Sequence, residues 1–204
     1  MRTVTLIVSL FVTCLLNAAE NNEMPNTLLS ATQALSILSL ETNNNLNGNF
    51  LQKKYFKILK KPFISSGKFS SVDQKFTWRT LTPVQSAIIF RENKLYIENA
   101  NGELSEQDEA QDIGHILQQL LSGQFESLSD HFLITRTAGI ESEHCLMLIP
   151  KDKTFAQVFK QIALCGQGQI DKITLFDPQT NYTVITLSYT DANDQSNAER
   201  HYSH

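Results

Sequence analysis

The chain has 204 residues, 41% of them hydrophobic, with 17 Lys and Arg against 21 Asp and Glu for a net charge of −4. That length allows one domain with a sizeable core. The acidic balance argues against a nucleic-acid partner, which calls for a basic surplus.

The first residues read as an export signal. Arg2 supplies a small positive start, residues 4–16 form an apolar run too short to span a bilayer, and Ala18 and Ala19 suit cleavage. The expected organisation is a signal peptide over 1–19, a soluble exported domain over 20–190 and a polar, disordered tail over 191–204. Cys14 offers a lipid-anchored start instead, but it follows Phe11-Val12-Thr13 inside the apolar run, a poor lipidation motif. A buried helix of a cytosolic protein is disfavoured by the polar Glu20-Asn21-Asn22-Glu23 that follows. No later apolar run is long enough to cross a membrane.

Asn26 or Thr27 is placed to cap a helix to about Leu40, with Leu28, Ala31, Leu35 and Leu38 on one face. The Asn-rich stretch 43–48 ends it. Residues 50–83 then read as three strands. The first, 50–59, is rich in Phe, Tyr, Ile and Leu, and Pro62, with no N–H to give, stops it. In Phe76-Thr77-Trp78-Arg79 the aromatics fall on one face. Residues 84–90 and 94–98 read as a hairpin closed by Arg91-Glu92-Asn93. Residues 98–112 are acidic, in contrast to Lys53, Lys54, Lys57, Lys60, Lys61 and Lys68 upstream. A solvated loop and strand face is the plain reading; a polarised surface that orients the protein on partners is the sharper one.

Ile113, Ile116, Leu117, Leu120 and Leu121 recur at helical spacing, with Gly123 as the C-terminal cap, and Phe125, Leu128 and Phe132 make a shorter stripe. Two short helices that interrupt a series of strands must pack on one face of the sheet. Strands resume at 145–149, followed by a loop at 150–153. Another runs through Phe159, Gln161 and Ala163 or their neighbours to Gly166-Gln167-Gly168. A last hairpin joins 173–176 to 182–189, with Ile185, Leu187 and Tyr189 on one face. The fold class is α+β.

Ser65-Ser66-Gly67-Lys68 fits the Ser-x-x-Lys pattern of penicillin-recognising enzymes, and Ser129-Asp130-His131 and Lys153-Thr154-Phe155 loosely echo their other motifs. That chemistry needs the serine at a helix start, with lysine one turn on; here the serine sits in a strand pattern. His115, His131, His144, His201 and His204 do not cluster at metal-ligand spacing. Neither a metal, a cofactor nor an enzymatic activity is expected. After cleavage Cys145 and Cys165 remain, on two strands that should pair antiparallel. In an oxidising compartment a disulfide is the economical reading, and two separate buried thiols the alternative.

The block from Phe50 to Pro83 resembles the opening of the bacterial periplasmic outer-membrane lipoprotein carriers, the LolA-like family. Those proteins carry a Phe-x-Gln strand, here Phe50 and Gln52. A Pro-(Phe/Leu)-x-Ser-x-Gly-x-(Phe/Leu) strand follows, here Pro62, Phe63, Ser65, Gly67 and Phe69, and then Phe-x-Trp with a later Pro, here Phe76, Trp78 and Pro83. Leu117, Leu120, Leu121, Gly123 and Phe132, then Leu146, Leu148 and Pro150, continue the likeness.

The resemblance implies an incomplete antiparallel β-barrel: a curved sheet with an N-terminal helix, and short lid helices over an apolar concave face. Between sheet and lid lie the acyl chains of a lipoprotein or lipid. It further implies a monomeric periplasmic carrier that meets an inner-membrane release machinery and an outer-membrane acceptor. The lipid-binding surface is expected at Phe69, Phe76, Trp78, Ile88, Phe90 and Ile97 on the sheet, and at Ile113, Ile116, Leu117, Leu120 and Leu121 on the lid. One departure stands out. The best-known carriers place an Arg-Pro pair, whose arginine helps hold the lid closed, just before the Phe-x-Trp strand; here that stretch is Val72-Asp73-Gln74-Lys75. The chain looks more like a divergent branch, some of whose members accompany glycolipid or aryl-polyene pathways, which leaves the cargo open. The alternative is a non-enzymatic periplasmic sensing domain that binds protein rather than lipid. Each buried methylene is worth about 0.8 kcal/mol, so a long acyl chain represents on the order of 10 kcal/mol and cannot cross water unassisted.

Overall fold

A computed structural model describes residues 27–40, 45–72, 75–107, 111–136 and 144–190, except for the side chains of 111–114 and 117. The expected signal peptide, Cys14 and the polar tail lie outside the described residues. In chain order the elements are β1 (Thr27–Leu28), α1 (Ala31–Leu38), β2 (Leu46–Tyr55), β3 (Phe63–Val72), β4 (Lys75–Thr82), β5 (Ser86–Arg91), β6 (Lys94–Glu98) and β7 (Leu104–Glu106). Then come α2 (Gln111–Ser122), α3 (Phe125–His131), β8 (Phe132–Arg136), β9 (Cys145–Pro150), α4 (Lys153–Val158), β10 (Gln161–Gln167), β11 (Gln169–Phe176) and β12 (Tyr182–Tyr189). The strands form one antiparallel sheet in the order β1-β8-β9-β10-β11-β12-β2-β3-β4-β5-β6-β7. It curves without closing, so β1 and β7 remain its two edges. This is an α+β fold built on an incomplete barrel.

Local chemistry explains where the elements begin. Ser30 caps α1: its hydroxyl accepts from the Gln33 N–H while Gln33 Oε1 accepts from the Ser30 N–H, a reciprocal capping box. The cap therefore falls later than Asn26 or Thr27, because Thr27 and Leu28 pair with Arg136 and Thr135 of β8. That pairing leaves Leu28 exposed, and Ala31, Ala34 and Leu38 form the buried face of the helix. The C-terminus of α1 is tied to the sheet by a hydrogen bond from the Gly168 N–H to Leu38 O.

The Asn-rich stretch is not a turn throughout. Leu46, Gly48 and Phe50 alternate inward, so β2 starts at Leu46 and stops at Tyr55, short of residue 59. The acidic stretch contains β7, which pairs with β6. Phe132 opens β8 rather than closing a helical stripe. Residues 153–158, starting at the last residue of the expected loop, form α4, capped by Asp152 accepting from the Phe155 N–H at 2.9 Å. The β5–β6 hairpin closes where expected, through Glu92 and Asn93 at φ 51° and 61°, the doubly left-handed turn that suits the twist of a two-residue hairpin.

The β9–β10 register sets Cys145 opposite Cys165, with Cα atoms 4.2 Å apart and the sulfurs bonded. The bridge spans 20 residues. Reducing it, or replacing both cysteines with serine, is expected to lower unfolding stability by about 3 kcal/mol in the chain-entropy model. Urea midpoints with and without reductant check this; coincident curves would show that the bridge carries no stability.

Candidate functional site

Strand pairing aligns the inward side chains in rows across the concave face. One row runs Leu46, Ser71, Phe76, Phe90 and Leu95; the next runs Tyr189, Gly48, Phe69, Trp78, Ile88 and Ile97. A third sets Leu187 beside Phe50 and Phe50 beside Gly67. The two glycines make room for aromatic rings. At Gly48 a Cβ would stand 2.7 Å from the Phe69 ring, and at Gly67 it would stand 2.8 Å from the Phe50 ring. Phe50 therefore lies across β3 and stacks on Trp78 at 3.9 Å, and Phe69 meets Tyr189 edge-on at 5.4 Å. Tyr189 donates to Ile170 O at 2.7 Å, and burial, reinforced by Asp171, pushes its phenol far above the ordinary value, so it stays a neutral donor.

Helix α2 covers the Phe90–Leu95 end of these rows. Ile116, Leu120 and Leu121 are buried against the sheet, and α3 adds Phe125 and Leu128. Of the expected lining, Phe69, Phe76, Trp78, Phe90, Ile116, Leu120 and Leu121 share one buried cluster, and Ile88 packs against it. Ile97 lies on the same face at the end of its row but is 38% exposed. The side chains of Ile113 and Leu117 lie outside the described residues. Sequence reasoning missed Phe50, Leu95 and the two glycines. The alternation of Leu46, Gly48 and Phe50 is the signal for the β2 pair, and that of Gly67, Phe69 and Ser71 for Gly67, while Leu95 is placed only by its pairing with Phe90.

Between α2 and the β5–β6 turn lies a cleft of about 420 Å³, lined by Phe90, Glu92, Asn93, His115, Gln118 and Gln124. That volume is within the range of small-molecule sites. The His115 ring meets Phe90 at 5.4 Å. Next to Gln118 in the chain, Gln119 is 4% exposed and its Oε1 has no hydrogen-bond partner among the described residues. A dry, unpaired amide oxygen is unusual and weakens the seat of the helix that carries it.

The family model for the outer membrane lipoprotein carrier protein LolA matches residues 41–200. The chain belongs to this family. Similar solved structures include a LolA superfamily protein from Nitrosomonas europaea at 10% identity, covering 82% of this chain and 96% of that one, with a TM-score of 0.45. A DUF1329 family protein from Desulfovibrio piger is also 10% identical, covering 78% and 89%, with a TM-score of 0.45. LprF from Mycobacterium bovis is 15% identical over 80% and 95%, with a TM-score of 0.37. No curated protein matches the sequence.

LolA-family proteins are carriers rather than enzymes. Ser65 and Lys68 lie an odd number of residues apart on β3 and so face opposite sides of the sheet, which removes the serine–lysine geometry of acyl transfer. Nor does Arg79 serve as a lid latch. It alternates with Trp78, points to the outer face and grips the Glu98 carboxylate with both terminal nitrogens, one contact at 3.1 Å. That hydrogen bonding raises the arginine pKa and holds the Glu98 carboxyl below its usual range. Ala87, between the two in the register, is small enough for the pair to bridge over it. In the latch region Val72 pairs with Lys75, and Asp73 and Gln74 lie outside the described residues.

Proposed function

We propose that this LolA-family chain is an exported periplasmic carrier that shields the acyl chains of a lipoprotein or lipid between the concave face of its sheet and α2. The carrying observation is the seat of α2: an apolar helix face resting on the Phe76, Trp78 and Phe90 side of an unclosed sheet, with a cleft along its edge. Lifting that helix bares the Phe90–Leu95 end of an aromatic floor that continues through Phe76 and Trp78 to Phe50. A membrane-shuttling carrier needs such a floor, a movable cover and no catalytic group. In this reading residues 1–19 are the export signal, and donor and acceptor sit in the inner and outer membranes. Among the described residues no helix is long and apolar enough to cross a membrane.

The test is mass spectrometry of lipid extracted from protein purified natively from its own envelope, together with Trp78 emission during titration with acyl ligands. A stoichiometric acylated species and a shift in Trp78 emission are expected. Protein that carries no lipid and ignores every acyl ligand would instead favour the sensing-domain reading.

A further inference from the structure

The β2–β3 hairpin carries chemistry that the acyl-binding face does not use. From Thr42 to Val72 the chain has six lysines and no acidic residue, within a protein of net charge −4. At the tip, Ile58 is 88% exposed, Phe63 62% and Ile64 54%, and Leu59 is also exposed. Lys54, Lys57, Lys60 and Lys61 are exposed around them. None of Lys57, Lys60 and Lys61 is paired with a carboxylate among the described residues. The base of the hairpin is firmly held: Tyr55 stacks on Tyr182 at 4.6 Å, and the Lys57 N–H donates to Asn181 Oδ1 at 3.1 Å. The tip itself turns tightly, with the Leu59 N–H donating to Phe56 O.

We infer that this hairpin docks the protein on the surface of a bilayer containing anionic lipid. Phe63 and Ile64 are consecutive in a strand and so point to opposite faces of the hairpin, with Ile58 in the turn beyond them. A protein groove reads one face of a hairpin. A wedge that is apolar on both faces and collared by ammonium groups suits an isotropic apolar layer beneath anionic headgroups, where lysine stems also bury. The tip lies at the opposite end of β2 from Leu46, in whose row Phe90 sits beneath α2, so docking leaves the cleft free. The β6–β7 edge, whose Glu98 and Glu106 are held by Arg79 and Lys94, stands apart from the docking tip.

Flotation of the full chain with phosphatidylglycerol-containing vesicles and with pure phosphatidylcholine vesicles decides the matter. Binding to the anionic vesicles alone, falling steeply with salt, is expected. Lys57→Gln, Lys60→Gln and Lys61→Gln together should weaken it about a hundredfold, at roughly fivefold per lysine. Ile58→Ser with Phe63→Ser should also abolish flotation, while both sets keep the wild-type thermal midpoint and acyl-ligand response of Trp78. Equal flotation of wild type and variants, or none by wild type, overturns the inference. So does capture of an acidic protein by the lysines with no vesicle binding. Because Trp78 lies in the core, away from the tip, failure here is separable from failure of the carrier reading.

Discussion

Gly67→Ala is expected to cost about 3 kcal/mol or more, the upper end for overpacking a core. A Cβ at this position would stand 1.9 Å from the Arg79 carbonyl oxygen and 2.8 Å from the Phe50 ring. The first neighbour is backbone in the adjacent strand and cannot swing away as a side chain would. The ladder is already irregular there, with the β3–β4 register shifting between Ser66 and Gly67. Relief therefore means separating β3 from β4 or lifting Phe50 off Trp78, and either change disrupts the aromatic floor. Gly102 is the control: its φ is +81° but nothing lies within 4 Å of a Cβ, so alanine there pays only the left-handed penalty of ~1–2 kcal/mol. Urea unfolding followed by Trp78 emission measures both. If Gly67→Ala were no worse than Gly102→Ala, the close β3–β4 approach described above would be wrong.

How much of this was legible in the sequence depends on where each signal is stored. The stretch around Pro62, Gly67, Phe76 and Trp78 could be read because alternation, a chain-stopping proline and hairpin turns are all local. The Cys145–Cys165 bridge was legible for a similar reason: two cysteines on strands in antiparallel order leave one economical pairing. The turn expected over 43–48 misled at Leu46-Asn47-Gly48, because asparagine and glycine favour turns, and only Phe69 and Tyr189 on the flanking strands make an inward Gly48 necessary. Strands β1, β7 and β8 owe their existence to partners: Thr27 to Arg136, Ser105 to Ile97, Ile134 to Leu148. For β1 and β7 propensity holds none of that information, whereas the Phe132-Leu133-Ile134-Thr135 run of β8 favours a strand and is masked only because Phe132 also fits the helical spacing of Phe125 and Leu128. At the site, alternation puts Phe76 and Trp78 on one face and strand pairing brings Ile88 and Phe90 to it, but periodicity does not say how far a cover extends. Ile97 continues the row of Ile88 and yet stays partly in water.

Leu120→Ala in α2 is expected to cost distinctly less than Leu164→Ala in β10, although both side chains are almost completely buried. For a fixed core position the loss is ~2–5 kcal/mol, and Leu164, within a central strand, should show it in full. Helix α2 is different because two features loosen its seat. Gly114 weakens the helix itself by ~1 kcal/mol relative to alanine, and the buried Oε1 of Gln119, without a partner among the described residues, adds to the cost of seating it. A cover that detaches before the sheet unfolds limits how much its contacts contribute to global stability, since the protein can lose the helix and keep the barrel. The deficit should appear elsewhere: faster amide exchange across the helix, and weaker acyl-ligand retention read by Trp78. Leu120→Ala and Leu164→Ala with matching unfolding midpoints, and no acyl response at Trp78 in either, would identify α2 as ordinary core and remove the movable cover on which the carrier reading depends.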